Sequence, residues 1–166
     1  AGLLPDGVTP IAYDLALTTD PDAGGFSGEV RIQVALSAPH ARIWLHSVDQ
    51  DILSARAILP NGTEIPATFT GDQAPGGVSR LDFESPVPAG DATLELSYTA
   101  PYNFGLAGLY KAVQSDTDYL ATQMEAIDAR RMVPSFDEPR FKTPWRVTIT
   151  APEGMQVVAN GAEVSA

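Results

Sequence analysis

A two-residue hydrophobic rhythm, cut again and again by turn-forming residues, runs through most of this chain. From Phe26 to Leu36, Gly28, Val30, Ile32, Val34 and Leu36 alternate with Glu29, Arg31 and Gln33. Successive side chains of a strand point to opposite faces, so this pattern predicts a strand with one face on a core and the other in water. Ile11–Thr19 repeats it, with Ile11, Tyr13, Leu15 and Leu17 on one side and Ala12, Asp14 and Ala16 on the other. Shorter strands are expected over Arg42–His46, Ile52–Leu59, Ile65–Thr70, Val78–Glu84 and Ala92–Thr99. Between them lie the breakers DPDAGG (Asp20–Gly25), PNGT (Pro60–Thr63), DQAPGG (Asp72–Gly77) and PVPAG. Asn-Gly is a strong turn signal because both residues tolerate positive φ. No helical period competes. The pattern predicts an all-β domain, an antiparallel sandwich or a curved multi-sheet body.

Composition excludes several partner classes. With 166 residues the chain is expected to be one domain over 1–166. Its formal charge of −11 repels phosphate backbones, which rules against nucleic acid and disfavours anionic membrane surfaces. No apolar run approaches the roughly 20 residues of a membrane span. The absence of cysteine removes disulfides, thiolate metal sites and Cys nucleophiles. The chain starts at Ala1 rather than Met, as a processed or trimmed product would, and both a cytoplasmic location and export with loss of a signal stay open. The aspartates of DPDAGG do not complete a calcium loop, since its twelfth position is Arg31 and not Glu. His40 and His46 lack the spacing of a zinc pair, and His46 is read as a packed, hydrogen-bonded residue at a strand end.

One stretch differs in character. Thr122–Lys142, TQMEAIDARRMVPSFDEPRFK, holds four of the chain's 10 Lys and Arg together with four acids. A strand over Tyr119–Glu125 would put Gln123 and Glu125 on one face, at i and i+2. A carboxylate beside a carboxamide suits a ligand with an ammonium next to an amide, which is the N-terminus of a peptide. From the residues alone, the competing arrangement ranks first: Glu125 pairs with Arg130 or Arg131 and caps a turn. IDARRM suits a single helical turn with Asp128 as N-cap, and Pro134 and Pro139 stop anything longer. Asp128, Arg130, Arg131, Asp137 and Glu138 read as a structural charge network, with Phe136, Phe141 and Trp145 packed beneath. Strands are expected over Trp145–Ala151 and Gln156–Ala159, then a hairpin turn at Asn160-Gly161 and a strand over Glu163–Ala166. An end so close to a hairpin suggests a domain that is incomplete at its C-terminus.

The run TQMEAIDARRMVPSFDEPRFKTPWRVTI resembles the N-terminal domain of the gluzincin aminopeptidases, the family of aminopeptidase N and leukotriene hydrolase. The shared pattern is Gln-x-Glu, then Asp-Ala-Arg-Arg, then Phe-Asp-Glu-Pro-x-Phe-Lys. Echoes run along the chain at Pro10-x-x-Tyr13-Asp14-Leu15, Phe26-Ser27-Gly28-Glu29-Val30, Leu45-His46, Gly108-Leu109-Tyr110 and Val158-Ala159-Asn160-Gly161. The resemblance implies a saddle-shaped, mainly antiparallel β domain packed on a thermolysin-like zinc domain. By motif position, Gln123 would line the pocket for the first substrate residue and Glu125 would anchor its α-amino group. Zinc, its His-Glu-x-x-His ligands and the general base would belong to the following domain of the parent enzyme. This fragment would bind no metal and be inactive alone; its partners would be peptide N-termini and, within the same chain, that catalytic domain. The alternative is a non-catalytic β-sandwich binding or scaffold module, or part of a family member that has lost its zinc site. A His-Glu-x-x-His further along the coding sequence separates the two.

Overall fold

The computed structural model describes residues 2–115 and 117–165. In chain order come β1 (Val8–Thr18), β2 (Gly25–Leu36), β3 (His40–His46), β4 (Asp51–Ile58), β5 (Glu64–Ala74), β6 (Val78–Val87) and β7 (Gly90–Pro101). They are followed by β8 (Gly108–Gln114), β9 (Thr117–Gln123), a single 3-10 turn at Ala129–Arg131, and β10 (Trp145–Thr150). Eight strands form one curled, mixed sheet in the order β10-β1-β2-β7-β4-β5-β6-β3, and β8 pairs with β9 in a second small sheet. Among these ladders β1–β10 alone is parallel. The all-β class, mainly antiparallel with one short helical turn, agrees with the sequence pattern.

Alternation decides which residues line the core. Val30, Ile32 and Val34 of β2 are fully buried, as are Leu94 and Leu96 of β7, Leu45 of β3 and Leu81 of β6, all within one continuous cluster. The opposite face carries charge. Glu95 sits in register with Arg31 on one side and Arg56 on the other, and it forms ion pairs with both. Asp14 pairs with Arg146 and Arg56 with Glu64, so a row of alternating charge crosses from β10 to β5. Glu95, only 17% exposed, lies between its two arginines, and opposite charges in register disfavour slipped pairings.

Several expectations are corrected. The register of β1 shifts between Pro10 and Ala12, which turns Ile11 out to 44% exposure instead of inward beside Tyr13. A bulge of this kind resets the two-residue rhythm. β5 continues to Ala74, past the expected end at Thr70, through a second irregularity in its pairing with β6. β8 had no clear alternation to announce it. β9 ends at Gln123, so Glu125 lies beyond the strand. Residues 156–159 and 163–165 are not strands: no ladder partner satisfies their backbone among the described residues, and Val158 is 84% exposed. Ala166 lies outside the described residues. Trp145 does not pack beneath the charged segment; it is 43% exposed at the sheet edge and stacks on Tyr13, centroids 3.9 Å apart.

One close approach governs the core. Tyr98 lies opposite Gly28 across β2–β7, and a Cβ at Gly28 would stand 2.3 Å from the Tyr98 ring carbon Cζ. The missing side chain is the space the ring occupies. Gly28→Ala should therefore lower the unfolding free energy in urea by about 1–3 kcal/mol through overpacking. A change within about 0.5 kcal/mol would show that the ring has another place to go.

Candidate functional site

Residues 124–144 form no ladder of their own, so their polar groups need partners from elsewhere. The sheet supplies them. The Tyr98 hydroxyl donates to the Met132 carbonyl at 2.9 Å, and the Phe136 amide donates to the Tyr13 hydroxyl at 3.0 Å. Burial pushes both phenols above their ordinary titration range, so each stays a neutral hydrogen-bonding group. Ser135 exchanges two backbone hydrogen bonds with His46 at the end of β3, at 2.8 and 3.0 Å. Phe136 is buried and meets Phe141 edge-on, as expected of the apolar layer under this segment.

The arginines are committed. Arg130 is buried, and its Nε donates to the Asp137 carboxylate at 2.8 Å while Nη2 donates to the Asp137 carbonyl at 2.9 Å. Its third contact is to the Gly76 carbonyl. Arg131 reaches Asp128 Oδ1 through Nε at 3.1 Å and Asp49 Oδ2 through Nη1 at 2.7 Å. Asp128 stands at the N-cap position of the 3-10 turn but makes no side-chain cap; its carboxylate goes to Arg131 instead. The pairing of Glu125 with Arg130 or Arg131 is therefore not what forms.

Gln123 and Glu125 are both exposed, and neither has a side-chain hydrogen bond or ion pair among the described residues. Gln123 closes β9 opposite Gly108, and the Glu125–Ala126 peptide is cis. They reach the surface from a strand end and the turn after it, not from two positions of one strand. Neither lines the groove of about 510 Å³ bordered by Thr19, Phe26, Asp49 and Asp51. Their surface is open. No group of three His, Cys, Asp or Glu side chains able to hold a metal occurs among the described residues. His46 spends its Nε2 as donor to the Gly2 carbonyl at 2.7 Å, which takes that nitrogen out of use as a metal ligand.

Comparison with known proteins decides the family. The model of the peptidase M1 N-terminal domain matches residues 9–166. This chain belongs to the peptidase M1 N-terminal domain family. Over 165 residues it is 34% identical to "Aminopeptidase N" of Acetobacter pasteurianus, covering 96% of this chain and 45% of that protein. It is 33% identical over 169 residues to "Aminopeptidase 2, mitochondrial" of Saccharomyces cerevisiae, covering 95% of this chain and 17% of the relative. A "Probable M1 family aminopeptidase 1" of Encephalitozoon cuniculi is 35% identical over 155 residues, 92% of this chain and 18% of its own length. The chain thus spans less than half the length of these relatives.

In this M1 domain the FDEPR motif clamps the N-terminal segment. The Leu4 amide donates to Glu138 Oε1 at 2.5 Å; Arg140 pairs with Glu138 Oε2 at 2.5 Å, with Asp6 at 2.8 Å and with the Leu4 carbonyl at 3.1 Å. Asp137 and Glu138 stand in the structural frame expected of them, while its anchors Tyr13, Tyr98 and Asp49 lie far off along the chain. Tyr13 was legible as inward-facing; its hydroxyl partner, 123 residues away, was not.

His46 completes the clamp. It is fully buried, and burial is the main cause lowering its pKa from 6.5, with Arg130 acting in the same direction against the Gly2 contact, Asp137 and Glu138. The folded domain therefore takes up this proton less readily than the unfolded chain. The His46 contribution to stability should be intact above about pH 6.5 and decline as the pH falls below it, towards the folded-state pKa. Urea midpoints compared at pH 8 and pH 5 should fall further in the wild type than in His46→Gln; equal falls would contradict this.

Proposed function

We propose that this chain is the N-terminal domain of a zinc-dependent aminopeptidase, and that Gln123 and Glu125 hold the free amino end of its peptide substrates. The observation that carries the reading is the exposed Glu125 carboxylate, left without a cation among the described residues while both neighbouring arginines are bound to other acids. An exposed carboxylate beside a strand-end carboxamide offers a charge-assisted acceptor for an ammonium and a neutral partner for the adjoining polar group. The net charge of −11 biases the approach of a cationic chain end in the same direction. The names of the relatives support the activity of the whole protein.

On this reading hydrolysis belongs to a catalytic domain that packs on this one and supplies zinc from its own ligands. Exposed Phe104 and Leu106, at 84% and 75%, offer apolar area for such a contact. The fragment of 166 residues is expected to bind no zinc and release no amino acid. In the full-length protein, Glu125→Gln should lower kcat/KM for an alanine anilide by roughly 10–100-fold, chiefly through KM, the loss of one charged hydrogen bond. Unchanged kinetics would remove Glu125 from the site.

A further inference from the structure

Among the described residues Glu125 makes no side-chain hydrogen bond or ion pair, so its position is inherited from the loop that carries it. That loop is closed on itself. It leaves β9 at Gln123, whose register partner is Gly108. Gly108 has φ +64°, and a Cβ there would lie 2.8 Å from Arg131 Cβ and 3.4 Å from the Asp128 carbonyl oxygen. The Asp128 amide donates back to the Met124 carbonyl at 2.9 Å, and the Arg131 amide donates to the Asp128 carbonyl at 3.1 Å. Start and end of the loop therefore meet at one glycine.

Besides buried Arg130, which reaches Gly76, one partly exposed side chain ties this closed loop to the large sheet. The Arg131 guanidinium holds Asp128 within the loop and Asp49 in the connection between β3 and β4. Asp49 adopts φ +58°, a conformation unfavourable for a residue with a Cβ, and the adjacent Val48 amide donates to the Arg130 carbonyl at 2.9 Å. The connection is thus aligned on the turn from both backbone and side chain. A planar fork can span two carboxylates at fixed separation, which a single ammonium cannot.

We propose that Arg131 is a positioning residue: by bridging Asp49 and Asp128 it sets where Glu125 stands relative to bound substrate. The inference rests on the reading of Gln123 and Glu125 as the anchor of the substrate amino group. The side chain of Arg131 is 37% exposed and that of Asp49 65%, so the bridge adds little to global stability. Its effect falls on geometry, which separates it from the buried Arg130 network.

The test uses the full-length protein and an alanine 4-nitroanilide substrate. Arg131→Ala should raise KM about tenfold with kcat within about twofold, since a small misplacement of a binding group is felt in complex formation. The thermal midpoint should stay within about 2 °C of wild type. Arg131→Lys should resemble Arg131→Ala, and Asp49→Asn, which removes one end of the bridge, should move KM the same way by a smaller factor. On the Glu125→Gln background, Arg131→Ala should add nothing further, the non-additivity expected of one residue acting through another. If Glu125→Gln raises KM but Arg131→Ala and Asp49→Asn do not, the positioning role is wrong and the anchor stands. Multiplying effects in the double variant, or full rescue by Arg131→Lys, would also overturn it. If Glu125→Gln is silent, the anchor reading falls and this inference with it.

Discussion

The Tyr98 ring, seated in the space left by Gly28, carries its hydroxyl to the Met132 carbonyl, and the position of the irregular segment depends on that reach. A loop of some 20 residues without ladder partners is costly to order, because each fixed backbone residue costs about 1–2 kcal/mol of conformational entropy. Here the sheet takes over the role of the missing ladder. Tyr98 and Tyr13 extend hydroxyls from its inner face, the end of β3 lends its backbone to Ser135, and Val133 and Phe136 are buried in the same core as the strands. The charge network comes after this. Buried Arg130 closes on Asp137 and Gly76, and losing one partner of such a pair costs about 3–5 kcal/mol.

What was legible in the sequence was what depends on neighbours along the chain. The alternation of β2 and β7 names their buried residues, and the Asn61-Gly62 turn closes β4 on β5, the Leu59 amide donating to the Thr63 carbonyl and the Gly62 amide to the Leu59 carbonyl. Where the structure departs, a long-range event intervenes. Ile11 points outward because a bulge shifts one register, and residues 156–159 stay irregular because no strand among the described residues pairs with them. The same holds for the candidate site. Gln123 and Glu125 are expected on a common strand face, but β9 does not extend far enough to provide one, and the two reach the surface from a strand end and the turn after it. Their freedom from Arg130 and Arg131 could not be read locally. It follows from Asp49, Gly76 and Asp137 taking those arginines first.

The charges between Glu125 and Arg140 fall into two populations. Those of the FDEPR motif and the two arginines at positions 130 and 131 are spent internally, on the N-terminal segment, the β3–β4 connection and one another. Glu125 and its neutral neighbour Gln123 are left over, exposed and away from the groove bordered by Thr19, Phe26, Asp49 and Asp51. Such a surface can hold one end of a ligand and cannot by itself enclose a reaction. That is what a domain of the M1 N-terminal family would need if it supplies the amino-end anchor and another domain supplies the chemistry.

The most direct test is a crystal structure of the full-length protein with a bound amino-acid amide. The ligand ammonium is expected within about 3 Å of a Glu125 carboxylate oxygen, with the Gln123 amide at hydrogen-bond distance from the ligand. An ammonium held by other carboxylates, with Glu125 facing solvent, would contradict this expectation.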